Sequence, residues 1–206
     1  LLIRTSYGDN AGSSTNAGHK WGIKFQGYNG NDFTQTSQKT AAIYAVSEDT
    51  GAGYNRSVGL TFHTSPFDTQ HREVMTITSQ GYVTKPNNVL FHAEGGPNTV
   101  SNSTIVFSNA IYNVGSGYNN STGKFTPPIA GYYAFYFQVY RNDDQSDANA
   151  TFQYTPSGGS AQVHSEARLR SAGAAGYSVL NSHMIHYMNL NDTMHVRAGA
   201  PTIHCN

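Results

Sequence analysis

Gly131-Tyr132-Tyr133-Ala134-Phe135-Tyr136-Phe137-Gln138-Val139-Tyr140 is the stretch that decides how this chain folds. Residues two apart share one face of a strand, so Tyr133, Phe135, Phe137 and Val139 build an apolar wall that belongs against a core. The opposite face carries Tyr132, Ala134, Tyr136, Gln138 and Tyr140. A monomer would expose three tyrosines in a row there, each a large apolar body with a polar tip. Just upstream, Pro127, Pro128 and Gly131 are turn chemistry that ends one strand and starts the next. Further back, Phe107, Asn113, Tyr118 and Phe125 recur at intervals that lead into the same run.

The rest of the chain has the same texture. It holds 206 residues, room for one large or two modest domains. Fourteen Tyr, ten Phe and 21 Gly stand in a background of Asn, Ser and Thr. Aromatic and β-branched residues cut by Gly, Asn and Ser turns describe an all-β protein. Charged residues make up 12%, twelve basic against twelve acidic. That balance argues against a nucleic-acid partner, which needs a basic patch, and against a disordered chain, which needs high charge and few aromatics. No apolar run is long enough for a membrane-spanning helix, so no membrane insertion is expected. The single cysteine, Cys205, excludes an internal disulfide framework and a cysteine-based zinc site.

Taken together, Phe107, Asn113, Tyr118, Phe125, Gly131, Tyr133, Phe135 and Phe137 resemble the C1q-like domain, the globular head of complement C1q and a relative of the tumour-necrosis-factor jelly roll. The resemblance implies a jelly-roll β-sandwich over residues 87–206 that associates as a homotrimer. In that family the aromatic strand lies in the inner sheet that meets the other subunits, which makes Tyr132, Tyr136, Gln138 and Tyr140 trimer-interface candidates. Downstream, Tyr187 to Val196 looks like the family's late strand, tight turn and strand. Asn191 stands where the family has Gly, and Asn best replaces Gly in a left-handed turn. The family's closing strand, with its aromatic-Ser-Gly motif, would begin about at Asn206. The chain is therefore expected to be an interior piece of a longer polypeptide or a trimmed product, with an unpaired sheet edge if that strand is absent.

Strands are expected in this head at Val89–Ala93, Thr104–Ile111, Gly123–Thr126, Tyr132–Tyr140, Ala150–Tyr154, Gln162–Arg170, Ser178–Leu190 and Thr193–Ala198. Residues 1–86 form a second, plainer region. Trp21–Phe25, Ala41–Val46, Val58–Thr64 and Val74–Thr78 read as strands, and a Ser-Gln-Gly-Tyr turn leads to Val83. Each carries few large apolar residues, so one copy could bury only a thin core and gains most by packing on copies of itself around a threefold axis. Gly59-Leu60, Phe62, Thr64, then Glu73, Met75 and Ile77, then Gly81 and Val83 are similar to a module common in bacteriophage tail-fibre proteins. The Lys85-Pro86 link to the head fits the same context. This resemblance implies a trimeric fibre neck in an extracellular virion, with other fibre or tail proteins and a host-surface receptor, such as a glycan, as partners. The alternative is a secreted or cell-surface C1q-like adhesion module of a cellular organism.

Chemistry finds little foothold. No Gly-x-Ser-x-Gly elbow, His-Glu-x-x-His helix motif or phosphate-binding glycine loop occurs, so no enzyme and no cofactor are expected. A hydrolytic tailspike would need a carboxylate pair, and Glu48, Asp49, Asp68, Glu73, Glu94 and Glu166 are scattered. Nine His invite a metal hypothesis, but His183 and His186 lie three apart in a strand and point to opposite faces. His195, His204 and Cys205 could meet symmetry mates at an axis without any spacing that supports it, so no metal is assigned. Asp143, Asp144 and Asp147 read as a solvated turn rather than a calcium loop. Loops on a rigid scaffold carry recognition, which makes Arg141, Asn142, Asp143, Asp144, Asp147, Ser157 and Ser160 the receptor-contact candidates.

Overall fold

The computed structural model describes residues 20–26, 40–48, 57–65, 72–96, 100–141, 147–169 and 178–199. The chain divides into two compact units, Leu1–Asn87 and Asn88–Asn206, and every regular element among the described residues is a strand.

The first unit is a five-stranded antiparallel meander of β1 (Lys20–Gln26), β2 (Thr40–Ser47), β3 (Val58–Thr64), β4 (Arg72–Ile77) and β5 (Val83–Thr84), in that order. Register puts apolar residues in rows across the sheet. Ile23, Ile43, Phe62 and Met75 pair in one row, and Trp21, Ala45, Leu60, Ile77 and Val83 in another. The opposite face holds Ala42 and His63, which pair directly, and both are buried together with Thr61. The turn into β5 needs its glycine: Gly81 sits at φ 86°, and its N–H donates to the Thr78 carbonyl at 2.8 Å.

The second unit contains β6 (Leu90–Glu94), β7 (Asn109–Val114), β8 (Tyr118–Asn119), β9 (Lys124–Phe125), β10 (Gly131–Arg141), β11 (Ala148–Thr155), β12 (Gln162–Leu169), β13 (Ser178–Met188) and β14 (Thr193–Ala198). One sheet runs β12-β11-β14-β9-β8; β10 pairs with β13, and β6 with β7. This all-β arrangement is a jelly-roll sandwich whose core fills the space between layers. Phe135, Phe137 and Val139 of β10 meet Phe152 of β11 and Met194 and Val196 of β14. Phe137 and Phe152 make an edge-to-face pair at 4.9 Å, and Phe125 meets Phe135 at 5.5 Å. Each such phenylalanine contributes about 1.5–3 kcal/mol through burial alone.

The spacing of Phe107, Asn113, Tyr118 and Phe125 has a local cause. The Asn113 amide donates to the Tyr118 carbonyl at 2.7 Å, and the Tyr118 N–H donates back to Asn113 Oδ1 at 3.1 Å, closing the turn between them. The Tyr118 hydroxyl then donates to the Phe107 carbonyl at 2.9 Å. Burial pushes the Tyr118 phenol up, an effect only partly offset by that bond. Gly123 lies at φ 69°, and a Cβ there would meet the Ile105 carbonyl oxygen at 2.6 Å, so no larger residue fits.

One expected strand differs. Residues 104–111 do not form a single strand: Thr104 makes an isolated bridge to Arg197, and the next ladder starts at Asn109. The segment changes partner on the way. Ile105 N–H donates to the Val196 carbonyl of β14, whereas Ser108 N–H donates to the Gly95 carbonyl just past β6. A chain that crosses between two sheets cannot keep one continuous ladder.

Candidate functional site

The solvent-facing side of β10 and β13 is the most distinctive surface of the second unit. The two strands pair along their full length, from Gly131 opposite Met188 to Arg141 opposite Ser178. Their inward rows enter the core, so the outward rows must stand side by side. Tyr132 faces Tyr187, Ala134 faces Ile185, Tyr136 faces His183, Gln138 faces Asn181 and Tyr140 faces Val179. None of these is Asp, Glu, Lys or Arg. Tyr132 is 78% exposed, Ile185 73% and Tyr136 64%. Short bonds order the row: Tyr136 OH donates to Gln138 Oε1 at 2.8 Å, and Gln138 Nε2 donates to Tyr140 OH at 3.3 Å. Tyr132 and Tyr187 pack edge to face at 5.1 Å. An uncharged, tyrosine-rich face of this kind has the composition of a protein–protein interface core.

Sequence reading located only half of this face. The β13 half, Val179, Asn181, His183, Ile185 and Tyr187, alternates just as strictly with the inward Leu180, Ser182, Met184, His186 and Met188. That period was the available signal, and partnership with β10 was the missing knowledge. The expectation for the two histidines follows the same register, His183 beside Tyr136 outside and His186 beside Tyr133 inside.

The loop candidates fall at opposite ends of β11. Asp147 precedes that strand and is exposed, 3.7 Å from Arg168, while Ser157 and Ser160 follow it. An eight-residue strand spans about 27 Å, so the two groups do not form one patch within a protomer. Asn142, Asp143, Asp144 and the Arg141 side chain lie outside the described residues, as do His204 and Cys205.

A buried polar cluster secures the end bearing Ser157. Asp192 follows Asn191, whose φ of 67° makes the tight turn expected from its place in the sequence. The Asp192 carboxylate accepts from Tyr154 OH at 2.7 Å, Asn189 N–H at 2.7 Å and Ser157 N–H at 2.8 Å. Burial works to raise its pKa, but these donors together outweigh burial and hold it below the usual carboxylate value. The same bond, helped by burial, pushes Tyr154 up to about 12. His186 lies 4.4 Å from the Tyr154 ring and 4.7 Å from His164, and burial with the His164 charge lowers it. His195, in β14, is held at about 4 by burial and by Lys124 and Arg197, and its Nε2 meets Gln153 Oε1 at 3.0 Å. No local signal joins Tyr154 to Asp192, 38 positions away, so this cluster was illegible in the sequence. With every carboxylate oxygen engaged, Asp192 is a rivet between turns rather than a reactive group. Among the described residues no three His, Cys, Asp or Glu side chains gather to hold a metal ion.

The second unit is thus a jelly-roll sandwich that presents an ordered, uncharged sheet face. The model of the C1q domain matches residues 91–199, just over half of the chain, and the chain belongs to that family. A complement C1q subcomponent of Bos taurus is 46% identical over 50 residues, covering 24% of this chain and 20% of that protein; the chain thus spans about a fifth of the curated relative. Among solved structures, the globular domain of zebrafish complement 1qA matches with TM-score 0.42 and 12% identity, over 52% of this chain and 76% of that one. The Eiger TNF of S. frugiperda matches with TM-score 0.47 and 19% identity, over 56% and 80%.

Proposed function

We propose that the chain is a non-enzymatic recognition module of the extracellular space, assembled as a homotrimer through the outward face of β10 and β13. The uncharged row of Tyr132, Tyr136, Tyr140, Ile185 and Tyr187 carries this reading, because a soluble monomer gains nothing by keeping it in water. Three heads around one axis present three identical sets of loops, and avidity then lets weak single contacts hold a repetitive surface. Residues 1–86 act as the self-associating neck and 87–206 as the head. The binding loops are those at one end of the sandwich, either around Asp147 or around Ser157 and Ser160. The family match and the likeness to a complement subcomponent favour an adhesion or recognition module of a cellular organism.

A second reading, the tip of a bacteriophage tail fibre that adsorbs to a host-surface receptor or glycan, is favoured by a separate observation. The Gly59 to Val83 run is similar to a tail-fibre module and precedes the head through Lys85-Pro86. Its further partners would be other fibre or tail proteins.

The shared core of both readings is tested by sedimentation. Wild-type chain is expected to run as a trimer, and Tyr136→Lys with Ile185→Lys to lose the contact between heads and associate far more weakly, with unchanged far-UV circular dichroism. A wild-type monomer at micromolar concentration would sink the proposal.

A further inference from the structure

Strand β12 carries an irregularity that reverses the ordinary order of burial. Opposite β11, Val163 pairs with Gln153 and His164 with Phe152, but Glu166 pairs with Thr151. Ser165 is therefore the extra residue of a β-bulge, and its φ of 23° is positive, where side chains rarely go. The bulge shifts the inward row of β12 by one position. On one side of it Ala167 and Leu169 pack on the core, opposite Ala150 and Ala148; on the other His164 takes the inward place opposite Phe152. An unbulged strand would put Ser165 and Val163 inward instead, opposite Phe152 and Tyr154. As built, Val163 is 62% exposed and an imidazole is turned inside. Burial alone favours the opposite arrangement.

The imidazole so placed meets a second one. β12 ends its sheet, and the Ser165 hydroxyl is bonded to that of Ser182 on β13, so the two layers join at this edge. The rings of His164 and His186 lie 4.7 Å apart, and Tyr154 packs edge to face against both. His164 Nε2 is buried with no hydrogen-bond partner among the described residues. A ring nitrogen buried in that state costs free energy, and the strained bulge that puts it there costs more. A ligand shared by the two imidazoles accounts for both.

The donor set defines that ligand. Imidazole nitrogen suits zinc, copper and nickel, whereas calcium and magnesium need oxygen. The nearby Asp192 offers no free carboxylate, since its oxygens accept from Tyr154, Ser157 and Asn189. A tetrahedral ion bonded to two imidazole nitrogens at about 2.0–2.1 Å holds the ring centres about 5 Å apart. The observed 4.7 Å fits that spacing. With two protein ligands, water completes the coordination.

We propose that His164 and His186 bind a transition-metal dication of the zinc class, and that the ion ties β12 to β13 across the edge of the sandwich.

Calorimetric titration of Zn²⁺ into chain free of any affinity tag, at neutral pH, tests this. Wild type and His183→Gln are expected to share a site that His164→Gln and His186→Gln each weaken by about tenfold or more. His183, on the outward face of the same strand, controls for chance binding to a histidine. In the unsubstituted chain, the ring nitrogens of His164 and His186 should shift together in long-range ¹H–¹⁵N spectra and saturate at equimolar zinc. That measurement does not depend on a variant folding. No shift at these rings, a shift at only one of them, or an affinity that survives either substitution would overturn the proposal. Loss of the site in His183→Gln would overturn it too, by placing the ion on the outward face.

Discussion

Phe25 and Phe137 both lie on the apolar face of an antiparallel strand, yet Phe25 is 57% exposed and Phe137 4%. The same contrast runs through the two units. In the second, the apolar rows of β10, β11 and β14 face one another and close a core. In the first, Ala42 is the only described hydrophobic side chain that is fully buried, while Trp21, Ile23, Phe25, Ile43 and Val58 remain open. Alternation alone therefore does not make a core. A sheet needs a second layer, and among the described residues only the second unit folds one from its own strands.

The strongest way to break this comparison is to delete the same side chain on both sides of it. Phe137→Ala is expected to cost about 3–5 kcal/mol, since it removes buried surface and leaves a cavity among Phe152 and its neighbours. Phe25→Ala in dilute, dissociated chain is expected to stay within about 1 kcal/mol, as an exposed substitution does. Urea unfolding of each variant, followed by circular dichroism, measures both. Equal losses would mean that the first unit hides a core of its own.

A smaller effect sharpens the contrast through pH. His195 titrates at about 4 in the folded chain, below the ordinary 6.5 of an exposed histidine. Below pH 6.5 the unfolded chain takes up this proton and the folded chain does not, so protonation favours unfolding. The contribution of the neutral imidazole is complete above pH 6.5 and is lost as pH falls towards 4, by up to about 3 kcal/mol. His186, also lowered, adds in the same direction. His195→Gln should flatten the fall in urea-unfolding stability of the second unit between pH 7 and 4.5, leaving a smaller slope to which His186 and, at the acid end, Asp192 contribute. An unchanged slope would remove His195 as its source.

What the sequence disclosed follows from the range of each signal. The inward and outward rows of β10 were legible because strand periodicity is local. So were the left-handed turn at Asn191 and the turn at Gly81, where one residue type is physically favoured. The partner-switching segment at residues 104–108 was not, because its ladder depends on β14 and β6, both distant in sequence. The β13 half of the exposed face and the Tyr154–Asp192 rivet were hidden for the same reason. Opposition across a sandwich is set by topology, and no window of sequence contains it.

A small change in folding stability is also the most telling about the first unit. Ile43 sits in the middle of the row formed by Ile23, Phe62 and Met75 and is 38% exposed. Ile43→Ser in isolated chain should alter stability by about 1 kcal/mol, a fraction of the loss at a core position, because more than a third of the side chain already stands in water. If that row is the surface on which copies of the neck pack, the same substitution places a hydroxyl in the middle of an apolar contact. Association must then weaken by more than the fold does. Sedimentation of Ile43→Ser in the Tyr136→Lys and Ile185→Lys background, against that background alone, isolates the neck from the head. Residual self-association in the background that disappears with Ile43→Ser assigns the open face to a second copy of itself. Identical sedimentation of the two leaves the head as the only contact between chains, and the exposed row of the first unit would then be ordinary solvated surface.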